Sequence, residues 1–266
     1  MDPAMIVTAL LAGLLIGAVL GLVGGGGSIL AVPMLIYGVG VDSPHAAIGT
    51  AAVAVALNAA VGMAGHARAN NVKWPCGLVF AAAGVAGALL GAEAGKMVEG
   101  ELLLGLFGLL MMAVGVAMLR RGAAPEDPGV RLTRSSAGRL LPRLVPAGFG
   151  VGLLAGFFGI GGGFLIVPAL VAATAMPLSM AIGTSLVVVT ALGASTAGSY
   201  ALSGYVDWPL VALLLLGGAA GTLPGQWAGR RLAQRKRMLN AAFVALVIAV
   251  GGYIVAEGLA RLSPLS

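Results

Sequence analysis

The chain has 266 residues, of which 59% are hydrophobic and only 9% are charged, with a net charge of +6 and a mean hydropathy of +1.04. A water-soluble domain of this length needs roughly 25% charged residues, so a soluble fold is excluded. The apolar stretches are too long for the strands of about 10 residues in a transmembrane barrel, and no soluble unit could present a nucleic-acid-binding face. We therefore predict an all-α integral membrane protein.

Ten apolar segments follow one another along the chain, and each is predicted to be a membrane helix. They cover residues 5–23, 28–40, 44–66, 76–95, 102–119, 145–159, 163–175, 178–203, 209–229 and 238–256. Segments 28–40 and 163–175 are shorter than the ~20 residues of a full span, so they either cross incompletely or form half-helices. We divide the chain into a first repeat (1–119), an arginine-rich linker (120–143) and a second repeat (144–266).

The two halves are copies of one unit. GLVGGGGSILAVP at residues 21–33 matches GFFGIGGGFLIVP at residues 156–168 in seven of thirteen positions. The match continues through Ala-Ile-Gly-Thr at residues 47–50 and 181–184. Duplications of this kind in a hydrophobic chain are typical of secondary transporters, whose repeats form a binding site at their interface.

The distribution of basic residues indicates how often the chain crosses the bilayer, because short cytoplasmic loops are enriched in Lys and Arg. With eight crossings, the fifteen basic residues divide nine against six between the two sides. With ten crossings, thirteen share one side and seven of the nine acidic residues lie opposite. We therefore predict five crossings per repeat. An odd number inverts the second copy, places residues 120–143 in the cytoplasm and leaves both termini outside.

Each repeat carries a glycine cluster that interrupts its hydrophobic helices. These clusters are Gly24, Gly25, Gly26 and Gly27 with Ser28, and Gly159, Gly161, Gly162 and Gly163. Runs of glycine disfavour helix, and non-helical backbone inside a membrane is tolerated where protein or a water-filled cavity satisfies its amides. The helix after each cluster would turn unpaired N–H groups toward that cavity and attract an anion. The alternative is that the glycines only permit close helix crossing.

Neutral polar residues on the neighbouring helices complete the predicted substrate-binding site. They are Gly49, Thr50, Asn58, Gly183, Thr184, Ser185 and Thr190. Hydroxyl and amide groups can bind an anion without carrying a charge into lipid, but they can equally bond a carbonyl of their own helix or join two helices. The sequence contains no nucleotide motif and no protease or metal pattern, so neither an enzyme nor a cofactor is expected.

Carboxylates are not clearly placed at mid-membrane, which disfavours a cation as substrate. Glu93, near the outer end of the fourth segment, is a candidate proton-coupling group, although simple exposure is the preferred interpretation. His45 and His66 are interpreted as interfacial residues rather than proton relays.

The paired glycine motifs, the Ala-Ile-Gly-Thr sequence in both halves and the VKWP and VDWP pair resemble the TauE/SafE family of membrane permeases over nearly the whole chain. The resemblance implies a bacterial or archaeal inner-membrane transporter of small sulfur-containing anions, such as sulfite, sulfoacetate or sulfonates, often in the export direction. Ile160 inside the second cluster departs from the first copy, so the two half-sites are not equivalent.

We therefore expect a multi-pass secondary transporter that moves a small sulfur-containing oxyanion by alternating access at the interface of the repeats. The lipid bilayer is its environment, proton coupling is one candidate energy source, and a homodimer is one candidate assembly. A passive anion channel and a non-transporting membrane scaffold are the alternative interpretations.

Overall fold

A computed structural model describes residues 2–120, 127–159, 163–232 and 236–262. Within these ranges the chain is helical apart from short connections, which confirms the predicted all-α membrane fold. The helices are α1 (Pro3–Val23), α2 (Ser28–Pro33), α3 (Pro44–Arg68), α4 (Trp74–Lys96), α5 (Gly100–Arg120), α6 (Arg134–Phe158), α7 (Gly163–Thr174), α8 (Leu178–Leu202), α9 (Trp208–Leu232) and α10 (Lys236–Leu262). A 3₁₀ turn (Gly24–Gly27) precedes α2, and a π-helical segment (Met34–Val39) continues it.

Seven helical stretches of the described residues are long and apolar enough to cross a membrane, with Pro3–Val39 counted as one. Most helix ends lie close to the predicted ones. The largest difference is α6, which begins at Arg134 because Thr133 and Ser136 form a capping box there. Residues 134–143, which the sequence analysis assigned to the linker, therefore extend the first helix of the second repeat.

Both repeats begin with a long helix followed by a short one. After α1, Gly27 packs against Ile16 and Leu20, so the chain turns back along the helix it has just left. In the second repeat, α7 likewise packs against the preceding helix, α6. The short segment 28–39 and α7 contain 12 residues each, or about 18 Å of helix against a hydrocarbon core of about 30 Å. Both segments are therefore shorter than a full span, as the sequence predicts.

Each repeat packs mainly on the other repeat. α1 lies along α9, and its counterpart α6 lies along α4. Small residues make these contacts close, since a methyl group on Gly17 would overlap the backbone of Gly218 and one on Gly152 would overlap the backbone of Gly84. The pair α1–α9 therefore corresponds to the pair α6–α4, with the two repeats exchanging places.

The two central helices are α3 and α8, which occupy equivalent places in the two repeats. They run antiparallel, because Gly49 near the start of α3 lies against Tyr200 near the end of α8, whereas Gly62 lies against Leu186. Most of their residues are buried, whereas α5 exposes a row of leucines suited to lipid. A site between the repeats is therefore lined by α3 and α8.

Candidate functional site

The glycine clusters of the two repeats meet inside the protein. The backbone of Gly25 contacts the backbone of Gly163, and a methyl group on either residue would overlap the other. Gly24, Gly25, Gly26, Gly27, Ser28, Gly159 and Gly163 are all buried. Of the predicted site residues, Gly161 and Gly162 lie outside the described residues. Both clusters thus contribute to one buried contact between the halves.

The first cluster differs from the irregular loop that the sequence predicted. Gly24–Gly27 form a 3₁₀ turn, whose i→i+3 bonds pair amides at its end, such as the N–H of Ser28 with the carbonyl of Gly25. Gly24 and Gly159, at equivalent places, both have positive φ (73° and 66°), which side chains other than glycine rarely adopt. Gly24 packs on Ile182 and Gly159 packs on Ile48. Each glycine turn therefore docks on the Ala-Ile-Gly-Thr motif of the other repeat.

Ser185 joins the first glycine cluster to α8. The N–H of Gly25 donates to Ser185 Oγ at 3.2 Å, and Ser185 Oγ donates to the carbonyl of Ile182 at 2.7 Å. At the carbonyl of the same residue, Ser28 Oγ donates to Gly25 O at 2.8 Å. Both serines are completely buried. In this conformation the N–H of Gly25 and the two hydroxyls are paired with protein, so an anion binding them would have to replace those bonds.

The predicted threonines Thr50 and Thr184 hold loops of the opposite repeat. Thr50 Oγ1 accepts a hydrogen bond from the N–H of Asp207 at 3.0 Å. In the equivalent place, Thr184 Oγ1 accepts from the N–H of Lys73 at 2.9 Å. Each bond occupies one acceptor site of the hydroxyl. The bond to Thr50 fixes the loop that leads into α9, and the bond to Thr184 fixes the loop that leads into α4.

The glycines before these threonines let the same loops approach. Gly49 lies against the carbonyl of Tyr205, and Gly183 lies against the carbonyl of Asn71, where a methyl group would overlap the backbone. The Ala-Ile-Gly-Thr motif of one repeat thus recognises the loop before the Trp-Pro pair of the other. Sequence reasoning missed this role, although the recurrence of both motifs in each repeat was a visible signal of it.

Asn58 and Thr190 lie elsewhere along the central helices. Asn58 is 1% exposed, its Nδ2 donates to the carbonyl of Leu214 at 3.4 Å, and its Oδ1 has no hydrogen-bond partner among the described residues. Thr190 is half-buried and donates to the carbonyl of Leu186 in its own helix. Asn58 therefore has spare capacity to bind a ligand, whereas the Thr190 hydroxyl donates its proton within α8.

The buried interior is polar but uncharged. Among the described residues, no Asp, Glu, Lys or Arg is buried, and no group of His, Cys, Asp and Glu is arranged to hold a metal ion. The buried polar side chains are Ser28, Thr50, Asn58, His66, Thr174, Thr184, Ser185, Thr196, Ser199, Thr222 and Gln226. Hydroxyl and amide donors suit a small anion better than a cation, since cation sites in membranes are usually built from carboxylates.

These features define a class, namely multi-pass helical membrane proteins made of two interlocked repeats. The family model described as "Sulfite exporter TauE/SafE" matches residues 9–254, and the chain belongs to that family. The family and the names of its relatives identify the protein as a membrane transporter.

Relatives occur in bacteria and archaea. A "Probable membrane transporter protein" of Xylella fastidiosa (strain Temecula1) is 45% identical over 91% of this chain and 91% of its own length. YunE of Bacillus subtilis, named in the same way, is 28% identical over 93% of this chain and 96% of its own length. MJ0441 of Methanocaldococcus jannaschii, also named a probable membrane transporter protein, is 25% identical over 78% of this chain and 80% of its own length. No solved structure matches the chain.

Proposed function

We propose that the protein is a secondary transporter that exports small sulfur-containing anions, such as sulfite, sulfoacetate or sulfonates, across the cytoplasmic membrane. The family description supports sulfite, and the uncharged polar interior supports a small anion. The observation that carries the proposal is the buried contact of Gly25 with Gly163 beneath Ser185, because it places backbone and hydroxyl groups of both repeats at one point.

Transport would follow from separation of the two glycine turns. When the halves rock apart, the N–H of Gly25 loses Ser185 Oγ and becomes a donor for an oxygen of the anion. The hydroxyl of Ser185, which donates to the Ile182 carbonyl of its own helix, then turns from that carbonyl to the same anion. A hydrogen bond to a charged group contributes about 1.5–3 kcal/mol, so these two donors replace part of the lost hydration. The first turn of α7, which begins at Gly163, adds the positive end of a helix dipole.

In many secondary transporters, alternating access arises from two repeats that are inverted relative to each other, and we propose the same here. The antiparallel packing of α3 against its counterpart α8 supports this arrangement, and so does the exchange symmetry of the α1–α9 and α6–α4 contacts. We further propose the orientation that the charges favour, with residues 120–143 in the cytoplasm and both termini outside.

Flux into proteoliposomes tests this function. The wild-type protein should exchange labelled sulfite or ethanesulfonate with saturation, whereas Ser185→Ala should reduce the rate because it removes the hydroxyl that pairs with Gly25. Ser195→Ala is the matched control, since Ser195 also donates to a carbonyl three residues earlier in α8 but is not bonded to either glycine cluster. No flux of any sulfur anion by folded wild-type protein would refute the substrate class. Equal rates in both variants would refute the site.

A further inference from the structure

A polar network joins the two repeats where α4 and α8 end. Glu93 Oε1 accepts hydrogen bonds from Lys96 Nζ at 2.7 Å and from Ser199 Oγ at 2.8 Å. Lys96 Nζ also donates to Ser203 Oγ at 3.1 Å. Since Glu93 and Lys96 lie on α4 and the serines on α8, the charged pair links the first repeat to the second. This carboxylate is unused by the transport site described above.

Behind Glu93 lies a buried aromatic group with unused hydrogen-bonding atoms. Tyr200 is 0% exposed, and its hydroxyl has no hydrogen-bond partner among the described residues. His45 Nδ1 is likewise buried and unpartnered within them. The rings of His45 and Tyr200 are 6.4 Å apart, and Tyr205 packs on both. Tyr200 is the residue after Ser199, whose hydroxyl donates to Glu93, so both belong to the same end of α8. Native proteins rarely leave a polar group unpartnered at this depth, and both atoms are free to accept a hydrogen bond.

The network is exposed at one side and confined to one end of the bundle. The Glu93 side chain is 66% exposed, so it can exchange protons with water, whereas Lys96 is 17% exposed. The residue equivalent to Glu93 in the second repeat is Trp227, so the second repeat has no carboxylate at this position. The other titratable groups on the elements that meet at this end are Asp42, His45, Glu99, Glu101, Tyr205 and Asp207.

From this geometry we propose that Glu93, backed by Tyr200 and His45, is the proton-binding site that couples anion export to proton uptake. The proposal rests on the proposed function and names its coupling ion. A proton from the outer aqueous side binds a Glu93 oxygen, which removes the negative charge that holds Lys96 and weakens the bond from Ser199. The contact between α4 and α8 then loosens, and the outer end opens as the anion leaves. When this end closes over the protonated acid, Tyr200 Oη or His45 Nδ1 accepts its hydrogen bond. The acid releases the proton to the cytoplasmic side when the opposite end of the bundle next opens.

The test separates coupling from transport in proteoliposomes that contain ethanesulfonate, whose charge is constant near neutral pH. One arm measures exchange at equal pH on both sides. The other measures accumulation driven by an inside-acid pH difference of about one unit, with the membrane potential held at zero, where one-to-one antiport supports about tenfold accumulation inside the vesicle. The variants are Glu93→Gln and Tyr200→Phe, and Glu99→Gln is the control because Glu99 is an exposed acid near the same end of the bundle.

We expect wild-type protein and Glu99→Gln to accumulate ethanesulfonate, Glu93→Gln to lose accumulation while keeping exchange, and Tyr200→Phe to accumulate severalfold less than wild type. If Glu93→Gln does not fold, Tyr200→Phe carries the test, since it removes a single oxygen. Wild-type exchange without a response to pH would overturn the coupling site alone. So would undiminished accumulation by Glu93→Gln, or accumulation only when the inside is alkaline. Absence of exchange by the wild type would refute the proposed function, and the coupling role with it.

Discussion

Replacing Thr184 by valine tests the hydrogen bond by which one repeat holds a loop of the other. The change keeps the shape of the side chain but removes the oxygen that accepts from the N–H of Lys73 at 2.9 Å. The bond is only part-buried, so its loss costs about 0.5–1.5 kcal/mol, the net contribution of a typical hydrogen bond. Because soluble chains of 150–250 residues lose about 2–4 °C of Tm per kcal/mol, we expect Thr184→Val to lower the Tm by a few degrees.

The assay is thermal unfolding of the purified protein in detergent, followed by tryptophan fluorescence. Thr190→Val is the control, because Thr190 lies on the same helix and donates only to the Leu186 carbonyl in its own helix. Thr184→Ser keeps the hydroxyl and should recover most of the lost stability. If Thr184→Val and Thr190→Val unfold at the same temperature, the threonine does not fix the loop, and a role in binding substrate becomes the better explanation of the motif.

Two further substitutions probe packing and the site. Gly152→Val should abolish the yield of folded protein, because a side chain there overlaps the backbone of Gly84. The control Gly150→Val should fold, because a side chain at Gly150 has open space. If the two variants give the same size-exclusion profile, the packing argument is contradicted. Asn58→Leu installs the residue found at the equivalent position 192 and removes a buried amide whose Oδ1 has no described partner, so the Tm should hold or rise while the exchange rate falls. Unchanged exchange would exclude Asn58 from the site.

The helices and the duplication were predictable because both depend on local composition. Apolar segments of spanning length identify membrane helices without any tertiary information, and the two short segments were recognisable from their 12 residues. The start of α6 at Arg134 was missed, since its first turns are polar and contain arginines, and it is the Thr133 capping box that extends the helix. Polarity alone was a poor guide to where the linker ends.

The site was predictable in its parts but not in its contacts. Glycine clusters at equivalent places pointed correctly to a meeting of the repeats, but the sequence could not pair Gly25 with Gly163 or with Ser185, because those contacts depend on how the repeats interlock. For the same reason Thr50 and Thr184 were predicted as substrate ligands, a role that stays a prediction, while their bonds to opposite loops were not foreseen.

The network at the end of α4 shows the same limit. Glu93 was noticed as a candidate proton-coupling group, but exposure was the simpler interpretation while its surroundings were unknown. Ser199 and Tyr200 lie more than a hundred residues further along the chain, and only the packing of α4 on α8 brings them to the carboxylate. A role for Glu93 beyond simple exposure could therefore be inferred only from the side chains that contact it.

The most direct test of a sulfur-anion site between the glycine turns is exchange of labelled sulfite in proteoliposomes by the wild type, Gly25→Ala and Gly38→Ala. A methyl group on Gly25 overlaps the backbone of Gly163, whereas one on Gly38 meets nothing within 4 Å. We predict saturable exchange by the wild type and by Gly38→Ala, and loss of exchange in folded Gly25→Ala. Full exchange by Gly25→Ala, or none by the wild type, would contradict the proposed site or the proposed substrate, respectively.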